Sequence, residues 1–248
     1  MAGEIDVLDP DRPKRILMIA SNPAVSEQTG WPIGFWWAEL THPYWEFHER
    51  GYQVTVASPD GGALQADSWS DPRDGSGYSA DDLISLGFIS SPSRHALIED
   101  TPKLASLDLD QYDAVLAIGG QGPMYTFRGN ADVEYALATF FESRKPTAAM
   151  CHGTCVLLDA TTSDGTPLVA GRTWTGFANS EEDYADAYVG QPIQPFRIED
   201  EATAMEDTNF IVAGRFKAHA VRDGNLITGQ QQYSGAAAGR LIIEALGV

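Results

Sequence analysis

The residue whose setting most clearly allows chemistry is Cys151, in the run Ala148-Ala149-Met150-Cys151-His152-Gly153. An apolar strand runs straight into it, its flanks Ala149 and Gly153 are small, and a helical pattern begins at once. A nucleophile held at a sharp strand-to-helix turn takes a strained backbone, so its close neighbours must be small. Its side chain then projects into the crevice at the carboxyl end of the sheet, where α/β proteins bind ligands. The partial positive charge of the following helix N-terminus favours thiolate over thiol. That chemistry is attack on an electrophilic carbon through a covalent intermediate. The alternative, a buried structural cysteine, is common for free Cys, but the small-x-Cys-x-Gly context argues against it.

Three further groups could serve such a nucleophile. Gly119-Gly120-Gln121-Gly122-Pro123 ends a strand in paired glycines, which lets backbone N–H groups face a ligand. The amides of Gly120 and His152 could together hold a developing oxyanion. His152 directly follows the cysteine. Neighbours in a strained turn point different ways, so a Cys–His hydrogen bond and a merely packing histidine both stay open. Glu39 lies among Trp31, Phe35, Trp36, Trp37, Tyr44 and Trp45. Desolvated there, its carboxyl would titrate high and could carry a proton at neutral pH. On an exposed helix face it would do neither. If these aromatics, Trp36 above all, line the pocket, it is larger or more apolar than a three-carbon substrate needs. Cys155 sits about 6 Å from Cys151 at Cα if both are on one helix, with Cβ vectors alongside each other, so no relaxed disulfide is expected. It is read as a small core residue or as a resolving thiol after oxidation of Cys151.

The elements that must position these groups follow from patterning. Residues 15–21 and 52–58 read as buried strands, the second closed by Pro59-Asp60-Gly61-Gly62. Residues 34–51 show helical spacing broken by Pro43. Residues 63–105, rich in Asp, Ser, Gly and Pro, read as a surface excursion with a short helix at 80–86. Long irregular segments of this kind often form lids or interfaces. Strands follow at 113–120, 146–150 and 225–229, and helices at 130–143, 152–160 and 234–246. Alternating strands and helices predict one α/β domain over 1–248. The expected architecture is a parallel-sheet sandwich with helices on both faces and a nucleophile elbow.

Composition sets limits. The 248 residues carry a formal net charge of -19, with a sequence pI near 4.4. Such a chain repels phosphate backbones and anionic lipid, so no nucleic acid and no membrane is expected as partner. The start, Ala2-Gly3-Glu4-Ile5-Asp6, lacks the apolar run of a signal peptide, and no stretch approaches a membrane span of roughly 20 apolar residues. A cytoplasmic protein is expected. There is no phosphate-loop or Gly-x-Gly-x-x-Gly signature, and the histidines and cysteines have no zinc spacing. No metal and no cofactor is expected.

The order of these runs resembles the ThiJ/PfpI superfamily, in its glyoxalase III and heat-inducible chaperone-like branch. The resemblance rests on Glu39-Leu40-Thr41-His42-Pro43-Tyr44 with Gly34 before it, on Gly119–Met124, on Ala149–Gly153 and on Thr175-Gly176-Phe177-Ala178-Asn179-Ser180-Glu181-Glu182. The late run 223–230 also fits, and the match spans about residues 15–246. It implies a flavodoxin-like, class I glutamine amidotransferase-like fold, with Cys151 as nucleophile, His152 as its partner and Glu39 as the carboxylate against the thiol. It places the acidic third member at Glu182 by spacing from Phe177, with Glu181 as the alternative. Many relatives carry His after the paired glycines. Here Gln121 makes that pocket donor neutral. The implied activity is a glutathione-independent glyoxalase that converts methylglyoxal to lactate through a hemithioacetal. The alternatives are an amidohydrolase, deglycase or hydratase on the same site, or a stress chaperone or thiol sensor. The implied partners are a small carbonyl or amide-like substrate and a second copy in a homodimer.

Overall fold

Four of the five residues in Arg15–Ile19 are fully buried, as expected of a strand covered on both faces. In the computed structural model, which describes residues 13–247, this segment is β1 near the middle of a six-stranded sheet. The reading of Ala2–Asp6 lies outside the described residues. In chain order the other strands are the short pair β2 (Ala24–Val25) and β3 (Pro32–Ile33), β4 (Gln53–Ala57), β5 (Ala114–Ala117), β6 (Thr147–Met150), the short pair β7 (Thr173–Trp174) and β8 (Asn209–Phe210), β9 (Ala220–Asp223) and β10 (Leu226–Gly229). The main sheet runs β4-β1-β5-β6-β10-β9. Its first five strands are parallel and follow the flavodoxin-like order.

The last strand departs from the all-parallel expectation. β9 pairs antiparallel with β10, Asp223 opposite Leu226, through the tight turn Gly224-Asn225. A two-residue loop can join only antiparallel neighbours.

Helices cover both faces. One layer holds α1 (Trp37–His48), α2 (Leu83–Ser90) and α8 (Gly235–Ala245), with the short α3 (Pro92–His95) beside α2. The other holds α4 (Pro123–Thr126), α5 (Ala131–Glu142), a 3₁₀ helix at Cys151–Leu158 and α7 (Ile198–Ala204). α6 (Asn179–Val189) packs beside α7.

Three helices differ from the sequence reading. Pro43 lies inside α1 without ending it. Proline removes the donor to the carbonyl four residues back, that of Glu39. Packing keeps the helix whole: Pro43 sits against Gly235 and Gly239 of α8, where a Cβ would already be tight. The short helix expected at 80–86 starts instead at Leu83, because the Asp82 side chain caps it by accepting from the Ser85 amide. The segment after Cys151 winds as a 3₁₀ helix. There the Thr154 hydroxyl donates to the Cys151 carbonyl at 2.6 Å, a link across three residues that suits the tighter turn.

Candidate active site

The carboxyl ends of β1, β5 and β6 converge on Cys151. Its φ of 52° is left-handed, a conformation that costs a non-glycine residue of order 1–3 kcal/mol. The elbow holds because the surrounding structure fixes it: a Cβ at Gly153 would come within 2.9 Å of the Ala117 and Ile118 carbonyls. Only glycine lets the chain turn that tightly over β5.

The neighbouring loop is equally constrained. Gly120 has φ 106°, and a Cβ there would lie 2.6 Å from the backbone of Gly34, Phe35 and Trp36. The loop is pinned by Trp36 N–H donating to the Gly119 carbonyl at 3.1 Å and Gly122 N–H to the Gly34 carbonyl at 2.8 Å. The amides of Gly120 and His152 lie close enough to Cys151 to pull its thiol pKa down. These are the two donors the sequence pairs as an oxyanion site.

His152 reaches back to the cysteine. Its Nδ1 lies 3.6 Å from Sγ, and its Nε2 lies 2.8 Å from Glu182 Oε1. With Nε2–H donating to the carboxylate, the Nδ1 lone pair faces the thiol. The imidazole stacks on Phe177, ring centroids 4.0 Å apart. Glu181 faces elsewhere. Its Oε1 accepts from the Phe216 amide and Gln230 Nε2, and its Oε2 from the Ala178 amide. The geometry therefore brings Glu182, and not Glu181, to the histidine.

Glu39 is completely buried in the first turn of α1. Its Oε2 accepts from the Gly119 amide at 2.8 Å, its Oε1 has no hydrogen-bond partner among the described residues, and the carboxyl lies beside Cys151, both crowding the same face of Gly119. Burial pushes its pKa up to about 8 against the pull of Cys151 and the Gly119 amide. At neutral pH it keeps its proton. Burial, then the Glu39 charge, also push the Cys151 thiol well up, although the His152 and Gly120 amides pull it down. This reverses the expectation that the helix N-terminus makes a thiolate. Two buried acids in contact cannot both ionise cheaply, and desolvation outweighs the dipole of one short 3₁₀ helix.

One residue the sequence did not reveal ties the site together. Asp67 is buried; its Oδ1 accepts from the Gly34 amide at 2.9 Å and its Oδ2 from the Gln121 amide at 2.7 Å. It thereby joins the strip before α1 to the glycine loop. Burial raises its pKa to about 7, opposed by the two amides and by His152. Asp67 comes from the surface excursion, whose polar composition carries no signal that distinguishes it.

Cys151, His152, Glu182, Gly120, Gln121 and Trp36 line one cavity of about 180 Å³. Cys155 does not. It is buried, its thiol donates to the Pro123 carbonyl at 3.4 Å, and burial pushes its pKa up. The remaining walls are mostly aromatic, from Trp69, Tyr78, Tyr184, Tyr188 and Phe216. Trp36 meets Tyr78 edge-on, ring centroids 5.9 Å apart.

A buried cysteine at a strained elbow, with histidine and carboxylate in line behind it, sits at the carboxyl end of a mostly parallel α/β sheet. Residues 34–245 match the DJ-1/PfpI family, and the chain belongs to it. The chain is 24% identical to Glyoxalase 3 of Candida albicans over 237 residues, 94% of this chain and 98% of that one. The crystal structure of glyoxalase III from Candida albicans superposes with a TM-score of 0.75 at 22% identity, over 94% of this chain and 97% of that one. That of the Rapid Encystment Protein 24 kDa from Francisella tularensis gives 0.84 at 22% identity, over 95% and 100%. No helix among the described residues is long and apolar enough to cross a membrane.

Proposed function

We propose that this protein is a glutathione-independent glyoxalase that turns a 2-oxoaldehyde, methylglyoxal in the simplest case, into the 2-hydroxy acid. The observation that carries this is the fully buried Glu39 carboxyl held beside Cys151, where burial favours its protonated form. A cysteine hydrolase needs only nucleophile, histidine and oxyanion donors. An isomerising enzyme also needs a proton carrier beside the carbon bonded to sulfur, with a pKa near the working pH. The similarity to a protein named Glyoxalase 3 over nearly its whole length supports the same reading.

His152 Nδ1, oriented by Glu182, takes the thiol proton as sulfur adds to the aldehyde carbon. The resulting hemithioacetal oxygen lies against the Gly120 and His152 amides. A base then removes the hydrogen from that carbon to give an enediol, and a proton is delivered to the adjacent carbon. His152, neutral again once it has passed the thiol proton to the hemithioacetal oxygen, moves the hydrogen from that carbon to the neighbouring carbonyl oxygen. Glu39 then gives its proton to the adjacent carbon and takes one back from the first hydroxyl as the enediol becomes the thioester. The product is a thioester, which water hydrolyses to lactate and free thiol. Methylglyoxal plus water gives lactic acid, with no external oxidant or reductant. Asp67 acts indirectly, by fixing the loop that presents the Gly120 amide.

The test is lactate formation from methylglyoxal without glutathione, run in deuterium oxide. Deuterium at C2 of the lactate is expected, from an enediol whose proton exchanges with solvent. A failure to make lactate from methylglyoxal by protein whose Cys151 is readily alkylated would refute the reading.

A further inference from the structure

The cavity holds more than this reaction asks of it. At about 180 Å³ it exceeds the roughly 150 Å³ that accommodates a benzene-sized ligand. A three-carbon dicarbonyl would leave most of it unfilled. Its distal part is built from aromatic faces that suit a flat apolar group. Among the described residues no Lys or Arg lines it. Arg215 sits over the Tyr184 ring and is outside the lining. Three carboxyl groups, Glu39, Asp67 and Glu182, lie at or beneath the floor. A carboxylate or phosphate ligand would meet no countercharge there.

Ser76, Gln121, Gln194 and Gln232 break the aromatic wall, and Gln232 is paired with the Tyr78 hydroxyl at 3.2 Å. Gln194 lines the cavity and is 8% exposed, yet neither Oε1 nor Nε2 has a hydrogen-bond partner. Buried amides are normally satisfied, so an unpaired one facing a cavity points to a ligand. The residue is firmly held. Pro192 and Pro195 flank it and restrict the backbone. The Ile193 amide donates to Asp186 Oδ1 at 2.9 Å, and Arg197 bridges Asp183 and Asp186 at 2.6 and 3.0 Å. Gln121 Oε1, elsewhere in the same lining, is also unpaired.

We infer that the distal cavity is a specificity subsite in which Gln194, between aromatic walls, pairs with a neutral donor–acceptor group such as a carboxamide at the far end of the substrate. Resting on the glyoxalase reading, this makes the preferred substrate an aryl 2-oxoaldehyde carrying an uncharged polar substituent. An amide side chain with one donor face and one acceptor face fits another amide. A site built to pair with such a group discriminates against analogues that lack it, because its own polar atoms are then left unmatched.

The test compares kcat/KM for methylglyoxal, phenylglyoxal, para- and meta-carbamoyl phenylglyoxal and para-carboxy phenylglyoxal. Wild type should prefer at least one carbamoyl compound over phenylglyoxal, phenylglyoxal over methylglyoxal, and should turn over the carboxy compound slowest of the aryl set. In Gln194→Met the ratio of carbamoyl to methylglyoxal kcat/KM should fall about 10–100-fold, mainly through KM. Gln194→Glu, which keeps the shape, should lower the same ratio. A wild type without carbamoyl preference, or a ratio unmoved in both variants, overturns the inference. Calorimetry of terephthalamide with Cys151→Ala separates the two readings. Binding weakened by Gln194→Met, with no 2-oxoaldehyde turned over by wild type, sinks the glyoxalase reading and keeps the subsite. Methylglyoxal turnover with no carbamoyl preference and no terephthalamide binding sinks the subsite alone.

Discussion

The floor and the walls of this cavity are built on opposite plans. The floor lies at the ends of buried parallel strands and concentrates titratable groups: Cys151 and His152 after β6, Glu39 from α1 and Glu182 from the first turn of α6, with Asp67 behind them. The walls come from the excursion and from α6 with the turn after it, and they are aromatic and amide, with no Lys or Arg among the lining residues. A floor of coupled acids is expensive to bury and has value only if protons move there. A wall of neutral rings moves no protons and can only select. Substitutions in the floor should therefore act on kcat and on pH behaviour, and substitutions in the walls on KM and on substrate ratios.

Beyond the loss of turnover expected in Cys151→Ala and Glu39→Gln, Glu182→Gln should have the largest effect on kcat. It keeps the shape but removes the charge that orients His152, and kcat should fall about 10²–10⁴-fold with little change in KM. A loss confined to KM would place Glu182 with the walls.

Glu39→Gln sharpens the contrast through stability. The carboxyl titrates near its ordinary 4.5 when unfolded and at about 8 when folded. Its contribution is complete below about pH 4.5 and is lost as pH rises through 8. The variant lacks this dependence. Urea unfolding between pH 5 and pH 9 should show it gaining on wild type, by a margin on the order of 3–5 kcal/mol. A gap that does not change with pH would contradict a protonated, buried Glu39.

Asp67→Asn leaves one acceptor oxygen for two amides. It should cost about 1–3 kcal/mol of stability and about 10–100-fold in kcat, readable in parallel melts and initial rates. Unchanged kcat would show that the Gly120 loop needs no such brace. Trp36→Leu should act the other way, raising KM for an aryl 2-oxoaldehyde roughly 10-fold with kcat within a few-fold, the usual cost of lost aromatic contact.

The same division explains what could be read from the sequence. Cys151 and the Gly119-Gly120 pair were legible because they end short apolar runs, and strand ends in a parallel sheet have a known place. Glu39 was legible through the family resemblance, and its aromatic neighbours argued for its burial. Glu182 was preferred to Glu181 only through the family resemblance and its spacing from Phe177, because adjacent residues differ by about 100° around a helix and the start of α6 sets the phase. Asp67, Trp69 and Tyr78 sit in an excursion without periodicity, so nothing local indicates that they fold back over the cysteine. Gln194 follows α6, in a stretch between 160 and 224 where apolar spacing is too weak to place elements. The β9 hairpin did carry a signal, the turn residues Asp223-Gly224-Asn225, which alternating strands and helices elsewhere obscured.

The central claim is that a thiol and a protonated carboxyl share one reaction centre. The direct measurement is lactate formed from methylglyoxal, without glutathione, by wild type, Cys151→Ala and Glu39→Gln, alongside iodoacetamide labelling of Cys151. Turnover by wild type and its loss in both variants, with Cys151 of Glu39→Gln still alkylated, is the predicted result. Undiminished lactate formation by Glu39→Gln, or none by a wild type whose Cys151 labels readily, would contradict it.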